Sequence, residues 1–237
     1  MQGQGTSRLC QGAPGTPGRD GRDGRDATLM GPPGKPKPNG IQGIKGDAGG
    51  ATGGAVYTRW GRNDCPKSGN TTELYSGVMS RSYHSHSGGG SNYLCLPLDP
   101  IFDKISPGLQ DNAQLCGVEY MTSGQSNIFS RKVHHHNVPC AVCHTESRGS
   151  HVMIPARNVC PAGWTLEYKG YIMSANAGHK GRTKFICVDK DPGSTVGGSE
   201  YQGPSSGYLY FAEAYCGSLP CGPYINGHEL TCAVCTK

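Results

Sequence analysis

"VPCAVC" at 138–143 and "LTCAVC" at 230–235 are nearly one string written twice, and the second lies two residues from the end of the chain. Moving outward from them, "NDCP" at 63–66 recurs as "NVCP" at 158–161, and "YSGVMS" at 75–80 as "YKGYIMS" at 168–174. "YLCLPLDP" at 93–100 recurs as "FICVDKDP" at 185–192. Four matches in one order, offset by 92–95 residues, indicate an internal duplication. Residues 55–150 form the first copy and 151–237 the second.

The duplication sorts the cysteines. Cys65, Cys95, Cys140 and Cys143 correspond to Cys160, Cys187, Cys232 and Cys235. Cys216 and Cys221 flank "GSLP", a turn that closes a small loop between them. Cys116 and Cys10 have no evident partner within one chain and are candidates for bonds between chains. Twelve cysteines in 237 residues, many beside Pro or Gly, read as a disulfide framework. A Cys-x-x-Cys written twice also suggests zinc or redox chemistry. The 89 residues from Cys143 to Cys232 are too many for a zinc ribbon, and Ala-Val between the cysteines suits a buried strand.

Runs such as "NYLCLPL", "KFICVD" and "GYLYFAEAYC" are short, aromatic or β-branched, and bounded by Gly, Pro, Asn and Ser. They predict strands joined by turns, hence a mainly β, disulfide-rich pair of modules. Neither module holds much apolar material, so disulfides supplement a thin core.

Ahead of the modules the pattern changes. Gly stands at 12, 15, 18, 21 and 24, then at 31, 34, 40, 43, 46 and 49. Three polyproline-II chains wound together leave axial room only for Gly at every third residue. Residues 12–54 therefore read as an interrupted collagen stalk, and a triple helix requires three chains. Pro14, Pro17, Pro33 and Pro36 occupy the third place of a triplet, where hydroxyproline is common. "ATLM" at 27–30 and Lys37 break the phase and loosen the rod locally. The repeated order Arg-Asp-Gly is not the adhesive Arg-Gly-Asp. Residues 1–11, with Cys10, precede the stalk.

A Gly-X-Y stalk followed by "GAVYTRWGRNDCP", "SNYLCLPLDP", "HNVPCAVC", "CPAGWTLEYKGYIM", "FICVDKDP" and "LTCAVC" resembles the short-chain, spongin-type collagens of invertebrates. More distantly, the duplicated tail is similar to the non-collagenous C-terminal domain of type IV collagen, which trimerises. That second resemblance implies outer disulfides Cys65–Cys143 and Cys160–Cys235, and inner disulfides Cys95–Cys140 and Cys187–Cys232. It also implies a small-loop disulfide, which only Cys216–Cys221 matches. The first copy departs from the pattern, with Cys116 alone.

The formal charge of +5 is too small and too scattered to suggest nucleic acid. No apolar run approaches the roughly 20 residues of a membrane span. The opening "MQGQGTSRLC" lacks the apolar centre of a secretory signal, which fits a cytosolic chain or a secreted chain already trimmed; the cysteines favour the latter. Asn70-Thr71-Thr72 is a glycosylation triplet. His134 and His136, alternate residues of "HHH", would share one face of a strand and suggest metal, although the plainer reading is a solvated loop. "GPSSG" at 203–207 fits a nucleophile elbow only with a strand before it and a helix after it. No residue set looks catalytic, and no cofactor is implied. The expectation is a secreted, homotrimeric structural collagen of the extracellular matrix. Its partners would be its own copies and other matrix proteins, without nucleic acid or membrane insertion. The rival is a collagen-stalked recognition protein using aromatics such as Tyr83, Tyr93, Tyr201 and Tyr208 on glycans.

Overall fold

The computed structural model describes residues 53–67, 69–110, 112–125, 127–195 and 207–237. Cys10, Pro14, Pro17, Pro33, Pro36 and nearly all of the stalk lie outside the described residues, as does Tyr201. The described part is built of ten strands, with no helix among the described residues. Copy one supplies β1 (Gly54–Trp60), β2 (Thr71–Arg81), β3 (Leu94–Pro97), β4 (Cys116–Tyr120) and β5 (Pro139–Glu146). Copy two supplies β6 (His151–Pro155), β7 (Thr165–Ser174), β8 (Ile186–Asp189), β9 (Gly207–Phe211) and β10 (Thr231–Thr236).

Both copies pair their strands alike. In copy one, β5 lies between β1 and β2, and β2 also pairs β3 and β4, all antiparallel. In copy two, β10 lies between β6 and β7, and β7 pairs β8 and β9, again antiparallel. Matching glycines permit the close approach of β2 to β3 and of β7 to β8. A Cβ at Gly77 would run into the carbonyl oxygen of Leu96, and a Cβ at Gly170 into that of Val188.

The copies do not fold as separate modules. Parallel pairing of β4 with β9, over Val118↔Gly207 to Tyr120↔Leu209, joins them on one side. The single parallel pair Trp60↔Val188 joins β1 to β8 on the other. The circuit β7-β8-β1-β5-β2-β4-β9 then closes on β7 as a seven-stranded barrel. β6–β10 extends the sheet beyond β7, and β3 sits beside β2 outside the ring. The described residues from Gly53 to Lys237 accordingly form one compact unit.

The barrel core draws on equivalent positions of both copies. Met79 and Met173, Val118 and Leu209, and Tyr120 and Phe211 are all buried in one cluster with Val138, Val188 and Phe129. Alternation along the strands explains the choice: Val118 and Tyr120, like Leu209 and Phe211, are two residues apart and share a face. A smaller cluster of Tyr57, Ala141, Cys143, Tyr168, Ile172, Cys187, Cys232 and Val234 lies where copy one meets copy two.

Candidate functional site

The repeated "CAVC" acts as a clasp. Residues three apart on a strand point to opposite faces, so Cys140 and Cys143 cannot serve the same partner. Cys143 joins the cluster with Ala141, and Cys140 the cluster with Val142. Among the described residues five disulfides form: Cys65–Cys143, Cys95–Cys140, Cys160–Cys235, Cys187–Cys232 and Cys216–Cys221. These are the pairs implied by the likeness to type IV collagen. They make each strand that carries "CAVC" a brace holding two connections at once, and they fit an oxidising compartment. Cys116 is a free thiol, half-buried at the start of β4, and burial pushes it up from its ordinary value.

Buried polar groups stitch the copies together. Arg59 of β1 forks onto Asp189 of β8 at 2.9 Å through Nε and 2.7 Å through Nη2. The Tyr168 hydroxyl lies 3.0 Å from the carbonyls of both Thr58 and Cys187. Glu167 accepts from Tyr57 at 2.9 Å, from Arg148 at 3.0 Å and from Thr236 at 2.5 Å. Burial, and next the Glu167 carboxylate beside it, holds the Tyr57 phenol far above its usual range. Fixed donors surround both carboxylates, the arrangement of a structural network across the seam between the copies.

The shared strand face for His134 and His136, the lesser of the two readings, is not formed. Both lie just ahead of β5, His134 in a turn whose next residue, His135, has a left-handed φ of 61°. His134 Nδ1 accepts the Thr122 N–H at 3.1 Å, and His135 Nδ1 lies 3.1 Å from the buried Glu119 carboxylate. Among the described residues no group of three His, Cys, Asp or Glu is arranged to hold a metal ion. Asn70 is exposed in a left-handed turn (φ 56°) entering β2, so its amide faces solvent. Of the tyrosines considered for stacking on sugars, Tyr93 is buried, with its hydroxyl 2.8 Å from Thr183 Oγ1. Tyr83 packs on His84 and His86, and Tyr208 on His84 and His179. Of "GPSSG" only Gly207 is described, and it opens β9 rather than a helix.

The feature that sequence reasoning missed is the connection from β3 to β4. Leu98, Ile101, Phe102, Ile105 and Leu109 project from it with 73–98 % of their surface in water. The signal was present in "LDPIFDKISPGL", but a run with no strand or helix period gives no reason to separate core from surface. Folded monomers seldom leave so much apolar surface in one segment unless a partner covers it. The chain matches no protein-family model.

Proposed function

We propose that the chain is a secreted structural collagen of the extracellular matrix whose duplicated barrel brings three chains together and lets the glycine-phased stalk wind. The single observation that carries this reading is the apolar 98–109 segment. Five large side chains stand in solvent on a head otherwise fastened by five disulfides and a polar seam. Burying each against a neighbouring head would contribute about 1.5–3 kcal/mol. Association fixes three stalk strands at high local concentration, which offsets the entropy of bringing them into register. The period-three glycines supply the reason for the number three.

The test is the mass of the native protein in solution. Wild type is expected at three times the chain mass of 25.0 kDa. The double variant Ile101→Asp/Phe102→Asp is expected to run as a single chain while keeping its five disulfides. A variant that stays trimeric would remove the 98–109 segment from the assembly and with it the basis of the reading.

A further inference from the structure

Residues 175–185, "ANAGHKGRTKF", connect β7 to β8 and carry Lys180, Arg182 and Lys184 without any carboxylate. Exposure alternates along it: Lys180, Arg182 and Lys184 face solvent, while Gly181 and Thr183 turn inward. The three cations stand at every second residue and all face the same solvent side of the connection. None of the three has an ion pair among the described residues.

The equivalent connection of copy one, residues 82–92 ("SYHSHSGGGSN"), packs against this row and also lacks a carboxylate. It holds the row in place. Gly181 N donates to His84 O at 3.5 Å, Lys184 N donates to Ser91 O at 3.1 Å, and the Thr183 hydroxyl meets that of Tyr93 at 2.8 Å. Beneath both loops Arg81 is buried, only 1 % exposed. Its Nη2 donates to Gly181 O at 2.8 Å and its Nε to Ser82 O at 3.0 Å, while Nη1 is buried without a hydrogen-bond partner. No carboxylate among the described residues pairs with it. The His179 ring lies against His84, Tyr208 and Tyr210, and its Nδ1 is likewise buried and unpartnered. Asn176, His179, Lys180, Arg182, Thr183 and Phe185 line a cavity on this face, with Phe185 63 % exposed at its rim.

The result is a preorganised cationic row over a buried guanidinium, with no internal anion among the described residues to neutralise either. We infer that this face binds a sulfated polysaccharide. Sulfate stays ionised at every physiological pH, a repeating polyanion matches a repeating row of cations, and Arg182 offers the fork geometry that oxyanions take. Single-stranded nucleic acid, by contrast, is held by successive stacking aromatics; here Phe185 is the exposed ring, and Tyr83, Tyr208 and Tyr210 are half-buried against histidines. The disulfides also fit an oxidising compartment, where sulfated sugars are the abundant polyanion. This inference does not depend on chain association, because every residue of the face belongs to one chain.

The test uses the intact protein on immobilised heparin, eluted with salt. Wild type is expected to be retained at about 0.15 M salt, with affinity falling steeply as salt rises. The triple variant Lys180→Ser/Arg182→Ser/Lys184→Ser should bind on the order of tenfold to a hundredfold less tightly, with a log–log salt slope smaller by about 3. Removing three exposed cations elsewhere, as Lys67→Ser/Arg131→Ser/Lys132→Ser, should leave elution unchanged. The inference is overturned if the first variant elutes like wild type, or if the second loses as much. It is overturned equally if desulfated heparin, or a DNA oligonucleotide of equal charge, binds as tightly as heparin.

Discussion

Copy one crosses from β3 to β4 through a segment that keeps Leu98, Ile101, Phe102, Ile105 and Leu109 in solvent. Copy two crosses from β8 to β9 through residues 190–206, whose only large apolar residues are Val196 and Tyr201. In the next connection, from β9 to β10, copy two adds the staple Cys216–Cys221, where copy one has no cysteine. The edges differ as well: β8 closes the barrel against β1, whereas β3 pairs only with β2. Duplication thus preserves the five strands, the paired glycines and the four cysteines that fold each half. It leaves the connections free to diverge, one toward an apolar surface and one toward a cationic one. Residues 98–110 and 175–185 supply no member of the buried barrel core, and surface connections of that kind vary most freely.

The largest effects concern the clasps. Loop-closure entropy assigns about 4.5 kcal/mol to a bridge over 78 residues and nearly the same over 75, but only about 2 kcal/mol over 5. Cys65→Ser/Cys143→Ser and Cys160→Ser/Cys235→Ser should therefore lower unfolding free energy in denaturant equally. Cys216→Ser/Cys221→Ser should cost less than half as much. Next come the glycines. Gly77→Ala and Gly170→Ala each force a Cβ into a neighbouring carbonyl, at a cost of about 3 kcal/mol. Thermal melts of the two variants should match. A large difference would show that the halves do not share their packing.

The smallest effect is on pH dependence. Burial, then the charges of His84 and Arg81, lowers His179 below the ordinary imidazole value of 6.5. Burial, then His135, lowers His134 as well. A folded-state pKa below the unfolded one means that the unfolded chain binds more protons near and below pH 6.5, so stability falls as the solution is acidified through that range. Denaturation midpoints measured from pH 7.5 to 5 should decline. His134→Gln and His179→Gln should each flatten the decline in part, one acting in each copy.

Much of the fold was legible because its signals are local and doubled. The runs "NYLCLPL", "KFICVD" and "GYLYFAEAYC" hold β3, β8 and β9, and strand alternation alone requires the two cysteines of "CAVC" to face opposite ways. Closure into one barrel was not legible. It rests on one residue pair between β1 and β8 and three between β4 and β9, which no local pattern encodes. The buried charges were hidden for the same reason: Arg59 finds Asp189 130 residues away, and Tyr57 finds Glu167 110 residues away. Arg81 ends β2 as a buried cation, with Gly207 leaving room for its stem and Gly181 for its head. "HHH" suggested a strand face, but the left-handed backbone at His135 turns the chain before β5. The apolar connection was visible as composition only; its exposure is a property of the folded barrel.

Sedimentation equilibrium of the head, released from the native protein by cleavage within the stalk, bears most directly on the claim that this barrel gathers three chains. Three heads that remain together at micromolar concentration, and separate when Ile101 and Phe102 are replaced by Asp, are the expected result. Heads that sediment singly once the chain is cut would contradict it.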